Sequence, residues 1–311
     1  MTKVQTVYDH IRRNNIKTIA LVLGFPLIFV ALIFLFVWMV APADQALNTT
    51  ISVAIPTFIA CFIWLGISWA FGDSMMLSSA HAHEIHDDNP EYRQIFRRVE
   101  NVALAAGLPT PRVYIIDDDG MNAFATGRSP RDASVALTRG IINELDGPEL
   151  DGVIAHEMAH IGNRDIRLDM LLVTGVGVTV FAADFILRAM MASNNNRSQN
   201  DKNNGAAILM MVWLAFMVFN WIITPILRMA VSRNREYAAD ATGAQITRNP
   251  RALASALAKI TKNAHVACLA KQKSMHAACI SNPGGMREFM GDLLATHPPV
   301  ERRIERLESM A

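Results

Sequence analysis

The chain has 311 residues, of which 51% are hydrophobic and 18% charged, with 29 basic and 28 acidic side chains, a formal net charge of +1 and a mean hydropathy of +0.22. The charge fraction lies below the roughly 25% of ordinary soluble domains, and the balance excludes both the basic surface of a nucleic-acid binder and the unbalanced polar composition of a disordered chain. Cys61, Cys268 and Cys279 are too few and too widely spaced for a disulfide framework or a Cys-x-x-Cys metal site.

The apolar excess is concentrated. Ile19 to Val40 holds no charged residue, and at about 1.5 Å per residue such a run crosses a hydrocarbon core of about 30 Å. Ile51 to Phe71 is a second uncharged run, with Trp64 and Trp69 suited to an interface near its end. Beyond it, Asn89-Pro90 opens an amphipathic helix in which Tyr92, Ile95, Phe96, Val99, Val102 and Ala103 recur at helical spacing up to Gly107. Arg112 to Ile116, Asn122 to Thr126 and Ser134 to Thr138 read as short strands. Gly147-Pro148 starts a further helix. Met170 to Met191, broken by Asp184 and Arg188, is a weaker candidate, either a third span or a buried or re-entrant helix, and Ala206 to Leu227, interrupted by Asn220, is a further span. Asn249-Pro250 and Pro298-Pro299 each precede a soluble helix.

Orientation follows from the basic residues near the span ends. Lys3, Arg12, Arg13, Lys17, Arg164, Arg167, Arg228, Arg233 and Arg235 fall on one side, against Arg197 and Lys202 on the other. Both termini and both soluble segments are thus expected in the cytoplasm, with the first span retained as an anchor. The expected architecture is an α-rich α+β protein with a small antiparallel sheet and four transmembrane helices. Its parts are a membrane anchor at 1–71, a first catalytic part at 72–169, a helical hairpin at 170–227 and a second catalytic part at 228–311.

The chemistry lies in His156-Glu157-Met158-Ala159-His160. Residues four apart share one helix face, so the two histidines can offer nitrogens to one zinc ion, while the carboxylate of Glu157 is placed to act as general base on the water it activates. A catalytic zinc wants three protein ligands and an open position. Arg235-Glu236-Tyr237-Ala238-Ala239-Asp240 supplies a carboxylate pair at i and i+4: Glu236 to complete the ligand set, Asp240 to accept a hydrogen bond from a histidine's other nitrogen. Two spans separate His156 from Glu236, so both emerge on one face of the membrane. Arg303, His297 and Tyr237 are chemically able to stabilise an oxyanion, and spacing does not rank them. His81, His83 and His86 do not share a helix face and read as a solvated juxtamembrane segment; the pairs His265 with Cys268 and His276 with Cys279 read as ordinary packing rather than a second zinc site. Two other readings stay open: an intramembrane site-2-type metalloprotease using Leu150-Asp151-Gly152, and a transport or structural protein using Asp184 and Arg188 within the membrane.

Taken together, Asn122-Ala123-Phe124-Ala125-Thr126-Gly127, the His156 to His160 helix, Glu236 with Asp240, and Thr296-His297-Pro298 leading to Arg303-Ile304 resemble the HtpX group of membrane-bound zinc endopeptidases, relatives of the type I CAAX prenyl proteases. The resemblance implies a thermolysin-like domain facing the cytoplasm of a prokaryotic inner membrane, one Zn2+ per chain, and a role in clearing misfolded or damaged membrane proteins. It also implies that peptide adds as an extended strand along Asn122, Ala123, Phe124 and Ala125.

Overall fold

The computed structural model describes residues 7–40, 46–194, 233–262 and 298–311, with isolated positions between 210 and 221. The span expected at Ala206 to Leu227 falls mostly outside the described residues, and His297, His265, Cys268, His276 and Cys279 lie outside them altogether. The described chain forms two units: Met1–Ile16, Phe71–Val173 and Arg228–Ala311 in one, Lys17–Ala70 and Thr174–Leu227 in the other.

Helix α1 (Val7–Val40) and helix α2 (Ala46–Ser79) contain the first two apolar runs. Among the described residues one stretch, Leu47–Ser79, is long and apolar enough to cross a membrane. Its Ile51, Ile55, Phe58, Ile59, Phe62 and Ile63 are exposed. An outward face this apolar suits lipid, where helical backbone satisfies its own hydrogen bonds.

After α2 comes strand β1 (Ala82–Ile85), then helix α3 (Arg93–Ala106), strand β2 (Arg112–Ile116), strand β3 (Ala123–Thr126) and strand β4 (Ser134–Thr138). Gly107 ends α3 with φ 67 and donates its N–H back to Ala103 and Leu104, a left-handed cap that glycine adopts without penalty. The sheet order is β1-β2-β4-β3. Outer pairs β1–β2 and β4–β3 are antiparallel, but β2 and β4 run parallel, so the sheet is mixed rather than antiparallel as expected. The reason is topological: the chain leaves β2, passes over the position β4 later fills, forms β3 at the far edge, and reverses to insert β4 alongside β2. The segment 82–85, read from sequence as solvated, is a strand; its one buried side chain, Ile85, packs in the core while the polar residues around it hide the pattern.

Helix α4 (Arg139–Glu144) leads into helix α5 (Gly147–Gly162). Asp146 closes a capping box: its carboxylate accepts from the Glu149 N–H, and the Glu149 carboxylate accepts from the Asp146 N–H, both at 2.9 Å. The same Glu149 receives Ser255 Oγ at 2.7 Å and Lys259 Nζ at 2.6 Å, tying the start of α5 to a later helix. Helix α6 (Asp165–Asn194) carries Met170 to Met191 without a break. Helices α7 (Arg233–Thr247), α8 (Pro250–Lys262) and α9 (Val300–Glu308) complete the described chain. Val113, Val135, Val153, Ile154, Leu253 and Leu257 belong to the core in which α5 lies, between the sheet and the other soluble helices. A helix buried on nearly every face holds its side chains firmly, and α5 is the one that carries the site.

Candidate metal centre

His156 and His160 project from α5 with their Nε2 atoms 3.2 Å apart and their rings nearly perpendicular, at 88°. Glu236, on α7, brings Oε1 to 3.6 Å from His160 Nε2 and Oε2 to 3.8 Å from His156 Nε2. Ligands about 2.0 to 2.1 Å from a common tetrahedral centre stand about 3.3 Å from one another. The three separations therefore fit one small cation, with a nitrogen, nitrogen and oxygen donor set that suits zinc. Among the described residues this is the one group of three potential ligands whose donor atoms converge in this way.

Two carboxylates address the far sides of the imidazoles. Asp240 Oδ1 stands 3.0 Å from His156 Nδ1, at hydrogen-bonding distance though off the line of the N–H. Asp165 Oδ2 lies 2.8 Å from His160 Nδ1. Holding a proton on Nδ1 leaves Nε2 free for a metal and fixes the ring. Sequence reasoning found Asp240 and missed Asp165. Asp165 follows the end of α5 by a turn in which Arg164 has φ 59, and this break in helical spacing carries the chain back onto His160; no periodicity announces it. Asp240 is itself gripped by Arg303, whose Nε and Nη2 donate to its two oxygens at 2.8 and 2.7 Å. Arg303 is fully buried, and its Nη1 lies 3.6 Å from Glu236.

Helix α7 reaches this position through a close approach. Glu236, Asp240 and Gly243 fall at i, i+4 and i+7 on one face. A Cβ on Gly243 would stand 3.0 Å from the backbone nitrogen of His156. Arg235, next to Glu236, is buried and bonds Asp169 at 2.9 Å, with Asp165 at 3.5 Å, so α7 is also pinned to α6.

Electrostatics sorts the titratable groups. Burial pushes Glu157 up to about 7 and the Glu236 charge adds to that, while His160 and the Ala125 backbone hydrogen bond oppose it. Burial also disfavours charge on both histidines, and it wins at His156, whose pKa is lowered. At His160 the Asp165 hydrogen bond and the Glu236 charge outweigh burial and push it up to about 9. Asp240 is held below its ordinary value, despite burial, chiefly by Arg303.

The edge strand β3 adjoins the base. Asn122 is bonded to Thr138 through its backbone N–H and C=O, and Phe124 is fully buried opposite Ala136. Alternation then turns the backbone groups of Ala123 and Ala125 away from β4. The Ala123 N–H donates to Asn122 Oδ1 at 2.9 Å, and Ala125 is the residue that hydrogen-bonds Glu157. Gly127 ends the strand at φ 137, where a Cβ would stand 2.6 Å from the carbonyl oxygen of Asp132. Tyr237 lies beneath the Arg306 guanidinium, 3.6 Å from its ring centre. Asp151 pairs with Arg98 at 2.9 Å, and Asp184 pairs with Arg188 on α6 at 2.7 Å.

Comparison with known proteins agrees with the geometry. The profile of Peptidase family M48 matches residues 89–311. A "Protease HtpX homolog" from Thermoanaerobacter pseudethanolicus is 41% identical over 307 residues, covering 98% of each chain. Another from Caldanaerobacter subterraneus is 40% identical over 311 residues, covering 100% of this chain and 99% of its own. Among solved structures, the crystal structure of S. mikatae Ste24p aligns with a TM-score of 0.43 at 17% identity, over 95% of this chain and 65% of that one.

Proposed function

The chain belongs to peptidase family M48 and is a metallopeptidase of HtpX type, and on that premise we propose that it is an integral-membrane zinc endopeptidase hydrolysing peptide bonds of misfolded or damaged membrane proteins. The single observation that carries the reading is the convergence of His156, His160 and Glu236 at tetrahedral spacing beside a buried carboxylate. His156, His160 and Glu236 hold the ion. Zinc at that point supplies Lewis acidity to a water and to the scissile carbonyl.

The chain's own residues do the rest. Glu157 takes a proton from the attacking water and returns it to the leaving amine; a carboxyl with a pKa near 7 is suited to both directions of transfer. Asp165 and Asp240 hold the two imidazoles by their Nδ1 atoms, and Arg303 positions Asp240. Arg303, Tyr237 and His297 are the groups chemically able to meet negative charge developing on the substrate carbonyl, and two of the Arg303 donor nitrogens are committed to Asp240. Peptide lies along β3, meeting the outward backbone carbonyls of Ala123 and Ala125, whose N–H groups serve Asn122 Oδ1 and Glu157, with Asn122 and Phe124 fixing the strand from behind.

The domain scheme of an anchor at 1–71, catalytic parts at 72–169 and 228–311 and a helical hairpin at 170–227 goes with four membrane helices and cytoplasmic termini in a prokaryotic inner membrane. Support comes from the apolar exposed face of α2 and the distribution of basic residues.

The test is Glu157→Gln in the full chain, purified in detergent and loaded with zinc. The variant keeps its zinc and loses cleavage of a peptide substrate by about 10²-fold or more. Cleavage at the parent rate would sink the assignment of the base.

A further inference from the structure

We propose that Asn14, on the N-terminal helix, is a positioning residue for the metal site, acting on the ring of His160 through Asp165. The inference rests on the ligand set above and extends it to a part of the chain that the sequence assigns to the membrane anchor.

Asn14 is buried, at 3% exposure. A buried amide is costly unless its hydrogen bonds are made, and the described bonds of its Nδ2 go to the turn between α5 and α6: to the Asn163 carbonyl at 3.0 Å and to Asp165 Oδ1 at 2.5 Å. The other oxygen of that carboxylate is the one on His160 Nδ1, at 2.8 Å. Asp165 therefore stands between two partners, His160 five residues before it and Asn14 151 residues before it. Its remaining cationic neighbour is Arg235 Nη1, at 3.5 Å from Oδ1. With Asn14 in place the carboxylate is pinned on both oxygens and the His160 ring has one orientation. Without it, Asp165 is free to rotate toward Arg235 and away from His160.

The neighbouring residue gives an internal control. Asn15 also meets this region, accepting from Arg167 Nη1 at 3.3 Å, while Arg167 Nε donates to the Arg128 carbonyl at 2.8 Å. That contact braces the same helix without touching Asp165 or a proposed ligand. Loss of helix packing affects both positions; loss of ring positioning follows from Asn14 alone.

The experiment measures the zinc dissociation constant of the full chain in detergent by competition with a chromophoric chelator, with thermal unfolding of the metal-free protein alongside. Asn14→Ala weakens zinc by about tenfold or more, the range seen when the partners of metal ligands are removed, and Asn15→Ala leaves it within about twofold. Asn14→Leu, which keeps the buried volume and removes the donor, gives the same loss and stands in if the alanine variant does not fold. In an Asp165→Asn background the Asn14 effect disappears, because residues acting through one another are not additive. Parent-like zinc affinity in both Asn14 variants, or an undiminished effect in the Asp165→Asn background, overturns the role. A parent chain that takes up no zinc overturns the ligand set and this role with it, an outcome distinct from parent and variant binding alike.

Discussion

The approach of α7 to α5 offers a sharp test, because one hydrogen at Gly243 separates the present geometry from a displaced one. An alanine there would place its Cβ 3.0 Å from His156 N, 3.2 Å from His156 Cα and 3.3 Å from Ala155 C. Ordinary contact begins near 3.4 Å, and none of these atoms is the end of a flexible side chain, so α7 must withdraw by a few tenths of an ångström. Overpacking of this kind costs about 1–3 kcal/mol, of which roughly 1 kcal/mol is returned by the better helix propensity of alanine. The net loss of stability is thus about 0–2 kcal/mol, a drop of a few degrees in melting temperature. Zinc is less tolerant: its ligand distances hold within about 0.2 Å, and Glu236 lies two turns away on the displaced face. Gly243→Ala is expected to weaken zinc by about tenfold or more, read by chelator competition, in a chain that still folds. Gly152→Ala serves as comparison, since its Cβ would meet Leu253 of α8 at 3.2 Å; it costs similar stability but keeps zinc within about threefold. Equal zinc affinity in Gly243→Ala and the parent would refute the view that this contact sets the position of Glu236.

Two further outcomes follow from the buried charges. Arg303→Met leaves the buried Asp240 carboxylate without its bidentate partner and is expected to cost about 3–5 kcal/mol, read from denaturant midpoints, with most of the loss recovered when Asp240→Leu is added; an Arg303→Met chain as stable as the parent would count against the clamp. In the metal-free chain His160 keeps its proton up to about pH 9, whereas Glu157 at about 7 is mostly ionised by pH 8. Zinc uptake at pH 8 should therefore release about one proton, and affinity should rise with pH and level off above about 9. Calorimetry in two buffers of different ionisation enthalpy reads the release, and none at all would contradict the charged state of His160.

What the sequence discloses and what it hides divide along physical lines. The histidine pair, Glu157, Glu236 and Asp240 are legible because helical spacing turns sequence offsets into positions in space, and α5 and α7 are regular where those residues lie. The strands 112–116, 123–126 and 134–138 are legible because their runs are apolar. The parallel pairing of β2 with β4 is not, since it depends on where β3 is laid down, and neither is β1, whose pairing with β2 holds a polar run that has a single buried side chain.

Asp165 and Asn14 illustrate the harder case. Each is an unremarked polar residue in its own neighbourhood; one follows a left-handed turn and the other sits at the start of an apolar helix. Their meaning arises from a contact closed across half the chain, which no local pattern encodes. The same contact changes how α1 is to be understood. Its apolar stretch has the composition of an anchor, yet the turn carrying Asn14 belongs by its contacts to the unit that holds His156, His160 and Glu236. A segment that begins in the catalytic unit continues along the same helix into an apolar run. Positioning of His160 then depends on the register of that helix, and substitutions at its first turns, far from any ligand in sequence, should be read in zinc retention before they are read in stability.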